Sequence, residues 1–178
     1  MSKTIIKRRV IKITFLGDSP VGKTCLINAF RDIEFDSESL ATIGIDKIET
    51  PIKMENGEEK KLILFDTAGQ ERFRSTSLKT VRYSDAVGIL FDLTDRMTFN
   101  NVIDWLIDIK EIKDCPIALF GCKSDLKERR KIGKEEGEKF AKDNNIFYFE
   151  TSAKENINIK ESMEMFANYI YENLELSK

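Results

Sequence analysis

The chain has no histidine at all. That excludes histidine general-base catalysis and histidine metal ligation. Cysteine is almost as scarce. Cys25, Cys115 and Cys122 are odd in number and show no metal-ligand spacing, so they read as reduced thiols in a cytosolic protein. No apolar stretch approaches the roughly 18 residues that cross a bilayer, and the N-terminus does not have the form of a signal peptide. An excess of either charge is missing too: 29 Lys and Arg stand against 31 Asp and Glu, for a net −2. That balance supplies no field for nucleic acid or an anionic membrane. The short run Lys7-Arg8-Arg9 reads as a solvated strand entrance. We see no internal repeat, low-complexity tract or interdomain linker. The terminal Glu175-Leu176-Ser177-Lys178 offers no cysteine for a prenyl group, so membrane association is expected only if a lipidated tail lies beyond Lys178.

What is present is the composition of a soluble globular protein, 41% hydrophobic and 34% charged. At 178 residues the expectation is one domain, residues 1–178, and a monomer. Short apolar runs alternate with amphipathic ones. Val10–Leu16 is the first expected strand. Ile43–Met54 and Lys60–Phe65 are joined by Glu55-Asn56-Gly57-Glu58, a hairpin signal, and Pro51 places the first of them at a sheet edge. Val87–Phe91, Ile117–Phe120 and Ile146–Phe149 suit strands buried on both faces. Helices are predicted over Thr24–Phe30, Asn100–Lys110, Glu135–Asn144 and Asn158–Leu174. The alternation predicts an α/β fold: a doubly wound, mostly parallel six-stranded sheet with helices on both faces, its ligands at the carboxyl ends of the strands.

Between the first strand and the first helix stands Gly17-Asp18-Ser19-Pro20-Val21-Gly22-Lys23-Thr24, which is Gly, four residues, Gly-Lys-Thr. Glycines let the backbone approach a phosphate, and the new helix presents free N–H groups to it. Lys23 would reach the outer phosphates, and the Thr24 hydroxyl would ligate Mg²⁺. The octapeptide alone also fits a glycine-rich turn that binds nothing. Three further strand ends carry chemistry. Asp66 can hold Mg²⁺ through water, the Gly69 N–H can face a γ-phosphate, and Gln70 can orient an attacking water as the catalytic residue. Asp125 can accept from guanine N1–H and its exocyclic amine, a donor pair adenine lacks. The N–H groups of Ser152, Ala153 and Lys154 can meet the guanine O6. Taken singly, Asp66 fits a helix cap, Asp125 a turn and Ser152 an N-cap. Their common position, each after a strand on one side of one sheet, argues for a shared site.

These segments, with Thr42-Ile43-Gly44-Ile45-Asp46, Asp66 to Phe73 and Cys122-Lys123-Ser124-Asp125, resemble the five motifs of a small GTPase of the Ras superfamily, closest to the Rab branch. The likeness runs from about Val10 to Leu174. It implies a GTP/GDP switch with Mg²⁺, hydrolysing GTP in vesicle or membrane traffic, with exchange-factor, activating-protein and effector partners. The nucleotide contacts it implies include Ser19, Val21, Gly22, Lys23, Thr24 and Cys25, together with Cys122 and Lys123. It adds Thr42 as a second hydroxyl for Mg²⁺ and Phe35 as an aromatic against the guanine. On the sequence alone these two fit a strand start and a helix-end core residue equally well.

The chain departs from the family pattern at several of these positions. Pro20 stands where a backbone N–H is expected to face the β–γ bridging oxygen, and proline has none. Cys122 replaces an asparagine whose amide holds the base and the phosphate loop together, and a thiol bonds weakly. Ser39 aligns with the tyrosine that covers the γ-phosphate. Lys47, Phe65 and the absence of tyrosine at Thr80-Val81 erode the aromatic effector surface. Weak nucleotide affinity and slow hydrolysis are therefore expected. Two other readings compete: a hydrolysis-deficient guanine-nucleotide-binding module, and a P-loop ATPase or kinase, against which Asp125 and Ser152-Ala153-Lys154 argue.

Overall fold

The structure, a computed structural model, describes residues 10–36, 42–69 and 73–176. Strand β1 (Val10–Leu16) leads into helix α1 (Lys23–Phe30). The hairpin β2 (Ile45–Lys53) and β3 (Glu59–Thr67) follows, then α2 (Arg74–Lys79) with a 3₁₀ turn over Thr80–Tyr83. Next come β4 (Ala86–Asp92), α3 (Arg96–Asn100), α4 (Val102–Ile112) and β5 (Ile117–Cys122). The chain continues through α5 (Lys134–Asn144), β6 (Phe147–Glu150) and α6 (Ile159–Leu176). One six-stranded sheet runs β2-β3-β1-β4-β5-β6. All its pairings are parallel except β2 with β3. Pro51 lies in β2, at the edge, where its missing N–H breaks no ladder bond to a further strand.

Alternation along the strands divides the core in two. Ile11, Ile13 and Phe15 of β1 and Phe120 of β5 pack with Leu26 and Ile27 of α1 and with Met163, Phe166 and Ile170 of α6. Leu16, Val87, Ile89, Phe91 and Leu119 face the other way, toward Val102, Trp105, Leu106 and Ile109 of α4. Each fully buried aliphatic or aromatic side chain contributes about 1.5–3 kcal/mol. These stripes therefore hold the helices far more than propensity does.

Three details differ from the sequence pattern. β3 continues to Thr67 and β5 to Cys122, so Asp66 and Cys122 sit inside strand ends rather than after them. Pairing explains it: Asp66 lies opposite both Phe15 and Asp46, and Cys122 opposite Asp92. The helix expected over 100–110 is α4, shifted two residues later, and a separate short helix, α3, precedes it, with Asp95 capping α3 by accepting the Met97 N–H at 3.0 Å. α2 was not predicted because it has no apolar stripe. Hydroxyls anchor it instead. Ser77 donates to the Ala68 carbonyl at 3.0 Å, and Thr80 to the Ser77 carbonyl at 2.7 Å. The buried Thr14 hydroxyl, one strand away, lies 2.9 Å from that of Thr80 and 2.6 Å from that of Ser84.

Candidate functional site

The phosphate loop leaves β1 at Leu16 and ends at Gly22, whose φ of 108° is a left-handed value that suits glycine. α1 begins there without a side-chain cap and without an acidic residue in its first turn. The N–H groups of Gly22, Lys23, Thr24 and Cys25 have no acceptor within the helix, which leaves its positive end open to an anion. Val21 donates its N–H to the Asp18 carbonyl at 3.3 Å, and Ser19 to the Gly69 carbonyl at 3.1 Å. Pro20 between them has nothing to donate. Lys23 is 6% exposed, its Nζ donating to the carbonyls of Gly17 at 2.8 Å and Asp18 at 3.1 Å. Burial pushes this ammonium down to about 8, against the pull of Asp66 and Asp18. Gly69 sits tight on the loop: a Cβ there would meet Lys23 Nζ and lie 2.6 Å from Asp18 C and Ser19 N.

Beside Lys23 three oxygens converge from three separate segments. The Thr24 hydroxyl donates to Asp66 Oδ2 at 2.6 Å and lies 2.8 Å from the Thr42 hydroxyl, itself 3.4 Å from the same Oδ2. Among the described residues Asp66 Oδ1 is buried without a hydrogen-bond partner. Burial raises the Asp66 carboxyl above its ordinary range, opposed by the Thr24 hydrogen bond and the Lys23 charge. An all-oxygen set with one carboxylate and an unsatisfied oxygen fits Mg²⁺, which prefers few protein ligands and completes its shell with water and phosphate. The residues present therefore fit the ion.

A cavity of about 450 Å³ extends from this cluster along the carboxyl ends of β1, β5 and β6. Val21, Gly22, Thr24, Cys25, Thr42 and Gly69 line its phosphate end, and Cys122, Lys123, Asp125, Ala153 and Lys154 the far end. Ser152 donates its hydroxyl to Asp125 Oδ1 at 2.6 Å, which orients that carboxylate. Phe35, 40% exposed, borders the cavity as well. Cys122 is buried, and desolvation pushes its thiol up to about 12, so it stays protonated. Its Sγ has only long contacts, 3.8 Å to the Phe120 carbonyl and 3.9 Å to the Thr151 hydroxyl. Neither reaches the phosphate loop. Lys123 makes that link instead, with Nζ 3.3 Å from the Pro20 carbonyl and 2.5 Å from Asp92. Asp92 was not singled out from the sequence; its position at the end of β4, followed by a Thr94 that bonds its Oδ1 at 2.7 and 2.8 Å, was the available signal.

Gln70 and Ser39 lie outside the described residues. Lys47 is exposed on β2 and paired with Glu49 at 2.9 Å; its cross-strand neighbour is Phe65, and Thr80 turns inward. The edge thus presents charge where the resemblance leads one to expect aromatic surface.

Behind the base end, Arg130 grips Glu150 through both terminal nitrogens, and Tyr148 donates its hydroxyl to Glu150 at 2.7 Å. Burial disfavours ionisation of Glu150, but hydrogen bonds from Arg130 and Tyr148 outweigh it and hold the carboxyl below its ordinary 4.5. A depressed folded-state value means that the unfolded chain binds more protons. The contribution is complete above about pH 4.5 and lost as pH falls through the folded value. Thermal midpoints recorded between about pH 6 and pH 3 should therefore fall less steeply for Glu150→Gln than for the wild type. Parallel curves would mean that the pair adds nothing.

The Ras family model matches residues 12–172. The chain is 41% identical over 166 residues to Ras-related protein Rab-13 of Rattus norvegicus, covering 90% of this chain and 80% of that protein. It is 41% identical to Ras-related protein Rab-8 of Diplobatis ommata (90% and 77% covered) and 40% identical to Ras-related protein Rab-8A of Bos taurus (90% and 78%). Phosphate loop, oxygen cluster and matched span agree: the chain belongs to the Ras family and is a Rab-like small GTPase.

Proposed function

We propose that the chain, read as one G domain, is a GTP/GDP switch whose intrinsic hydrolysis is slow and whose hold on nucleotide is weak. The carrying observation is the single cavity that joins the α1 N-terminus and Lys23 to the Asp125–Ser152 pair. One end suits phosphates, the other a guanine edge. Lys23 and the first α1 N–H groups bind and orient the phosphates. Thr24, Thr42 and Asp66 would hold Mg²⁺, which when bound neutralises charge on the outer phosphates. Gln70 is read as the residue orienting the attacking water. Asp125 selects guanine, its rotamer set by Ser152. Pro20 offers no N–H to the charge that develops on the bridging oxygen, which supports slow turnover. Cys122 supports weak retention. The relatedness to Rab-13 and Rab-8 supports a role in membrane traffic with exchange factors, activating proteins and effectors of its own. Among the described residues no helix is long and apolar enough to cross a membrane. Peripheral attachment through a lipid is the corresponding proposal.

Fluorescent GDP should bind the purified chain in the presence of Mg²⁺ and resist displacement by excess ATP. Preloaded GTP should release phosphate at a low but measurable single-turnover rate. Stable loading with no phosphate would favour the binding-module reading, which Pro20 and Cys122 also support. Displacement by ATP, or no loading, would end the switch reading.

A further inference from the structure

The phosphate loop is held from outside the cavity by α4, which carries the only tryptophan of the sequence. Trp105 on α4 is 2% exposed and donates Nε1–H to Asp18 Oδ1 at 2.9 Å. Asn101, one turn earlier, donates its amide to Asp18 Oδ2 at 2.7 Å. The Asp18 carbonyl in turn accepts from Lys23 Nζ and the Val21 N–H. Fixing the Asp18 side chain therefore fixes the backbone that seats Lys23. Trp105 also meets α2. Its first residue, Arg74, lays its guanidinium over the Trp105 ring, 3.8 Å from the centroid, and is held there by Asp108, with Nε at 2.8 Å and Nη2 at 2.7 Å.

We propose that Trp105 is a positioning residue that couples the phosphate loop to α2, through a chain running carboxylate, indole, guanidinium, carboxylate. The proposal rests on the nucleotide-switch reading above. An N–H···O⁻ bond from the indole to Asp18 pushes electron density into the ring, and a denser ring binds the Arg74 cation more strongly. Each contact strengthens the other, so displacement of Asp18 by a change at the phosphates is felt at Arg74, and displacement of α2 is felt at Lys23. Residues near 18 and near 74 need no direct contact for this. Gly69, packed on Asp18 and Ser19, brings the segment leading to α2 onto the same loop from the other side.

The test uses the whole chain and two readouts. Since Trp105 is the only tryptophan, its emission reports the contact directly. Wild-type emission should change when GDP is exchanged for a non-hydrolysable GTP analogue. Arg74→Ala, a change at a partly exposed residue outside the cavity, should abolish that response and speed release of fluorescent GDP by roughly three- to tenfold. Arg74→Lys, which keeps charge without the flat stack, should fall between. Trp105→Phe, which keeps a ring but removes the donor, should also speed release. Loading with unchanged emission in both nucleotide states, or release from Arg74→Ala at the wild-type rate, would overturn the coupling and leave the switch reading standing. A lowered melting point without a change in release would overturn it in the same way, by reducing Trp105 to a core residue. Failure of the wild type to load guanine nucleotide would overturn the switch reading and this inference with it.

Discussion

Pro20→Gly is expected to raise the single-turnover rate of GTP hydrolysis by roughly 10²–10³-fold. Charge accumulates on the bridging oxygen as the γ-phosphoryl group departs, and a preorganised donor aimed there lowers the barrier by about 2.7–4 kcal/mol. At this point of the loop the chain has no donor to offer. Its neighbours are engaged elsewhere, Ser19 with the Gly69 carbonyl and Val21 with the Asp18 carbonyl. Pro20 itself is exposed. Pro20→Ala separates the added N–H from the added flexibility of glycine. If both variants accelerate phosphate release alike, the donor is responsible. Rates equal to the wild type would mean that the loop shifts or that water supplies the missing bond.

Cys122→Asn should slow GDP release by roughly 5- to 150-fold, equivalent to about 1–3 kcal/mol. The thiol sits at the carboxyl end of β5, protonated and buried, with contacts of 3.8 and 3.9 Å only. A thiol is a weak donor and acceptor, whereas an amide brings two donors and an acceptor. Among the described residues the base end is tied to the phosphate loop through Lys123 Nζ and the Pro20 carbonyl at 3.3 Å. An asparagine would add a second tie and a bond to the base. Stopped-flow release of fluorescent GDP measures the effect directly. Preference for guanine over adenine should not change, because Asp125 and its Ser152 partner are untouched. An unchanged off-rate would show that Lys123 alone already secures the two loops.

The reading of the strands transferred well because their signal is local. Val10–Leu16 agrees residue for residue, and the others differ by one to two residues at most ends, since continuous apolar runs bounded by turn residues leave few other solutions. The phosphate loop was legible for the same reason: Gly22, Lys23 and Thr24 are adjacent in the chain, and their chemistry needs only a strand before and a helix after. Helix α2 was not legible. Arg74-Ser75-Thr76-Ser77-Leu78-Lys79 carries no apolar period, and it forms because Ala68, Thr14, Trp105 and Asp108 supply partners from other elements.

The sequence by itself determined which groups are available: the glycines and lysine of the loop, a carboxylate and two hydroxyls for a hard cation, an aspartate for guanine, and the missing donors at Pro20 and Cys122. Tertiary structure alone decided what they touch. Thr24, Thr42 and Asp66 are separated by 18 to 42 positions, and Asp18 and Trp105 by 87, yet each set meets within hydrogen-bond distance. The sheet does this by bringing the loops that follow its parallel strands to one edge, where antiparallel β2 also starts just after Thr42, while α4 lies across its face. Periodicity reports the face a residue turns to its own element's neighbours; it carries no information on which distant residue waits there.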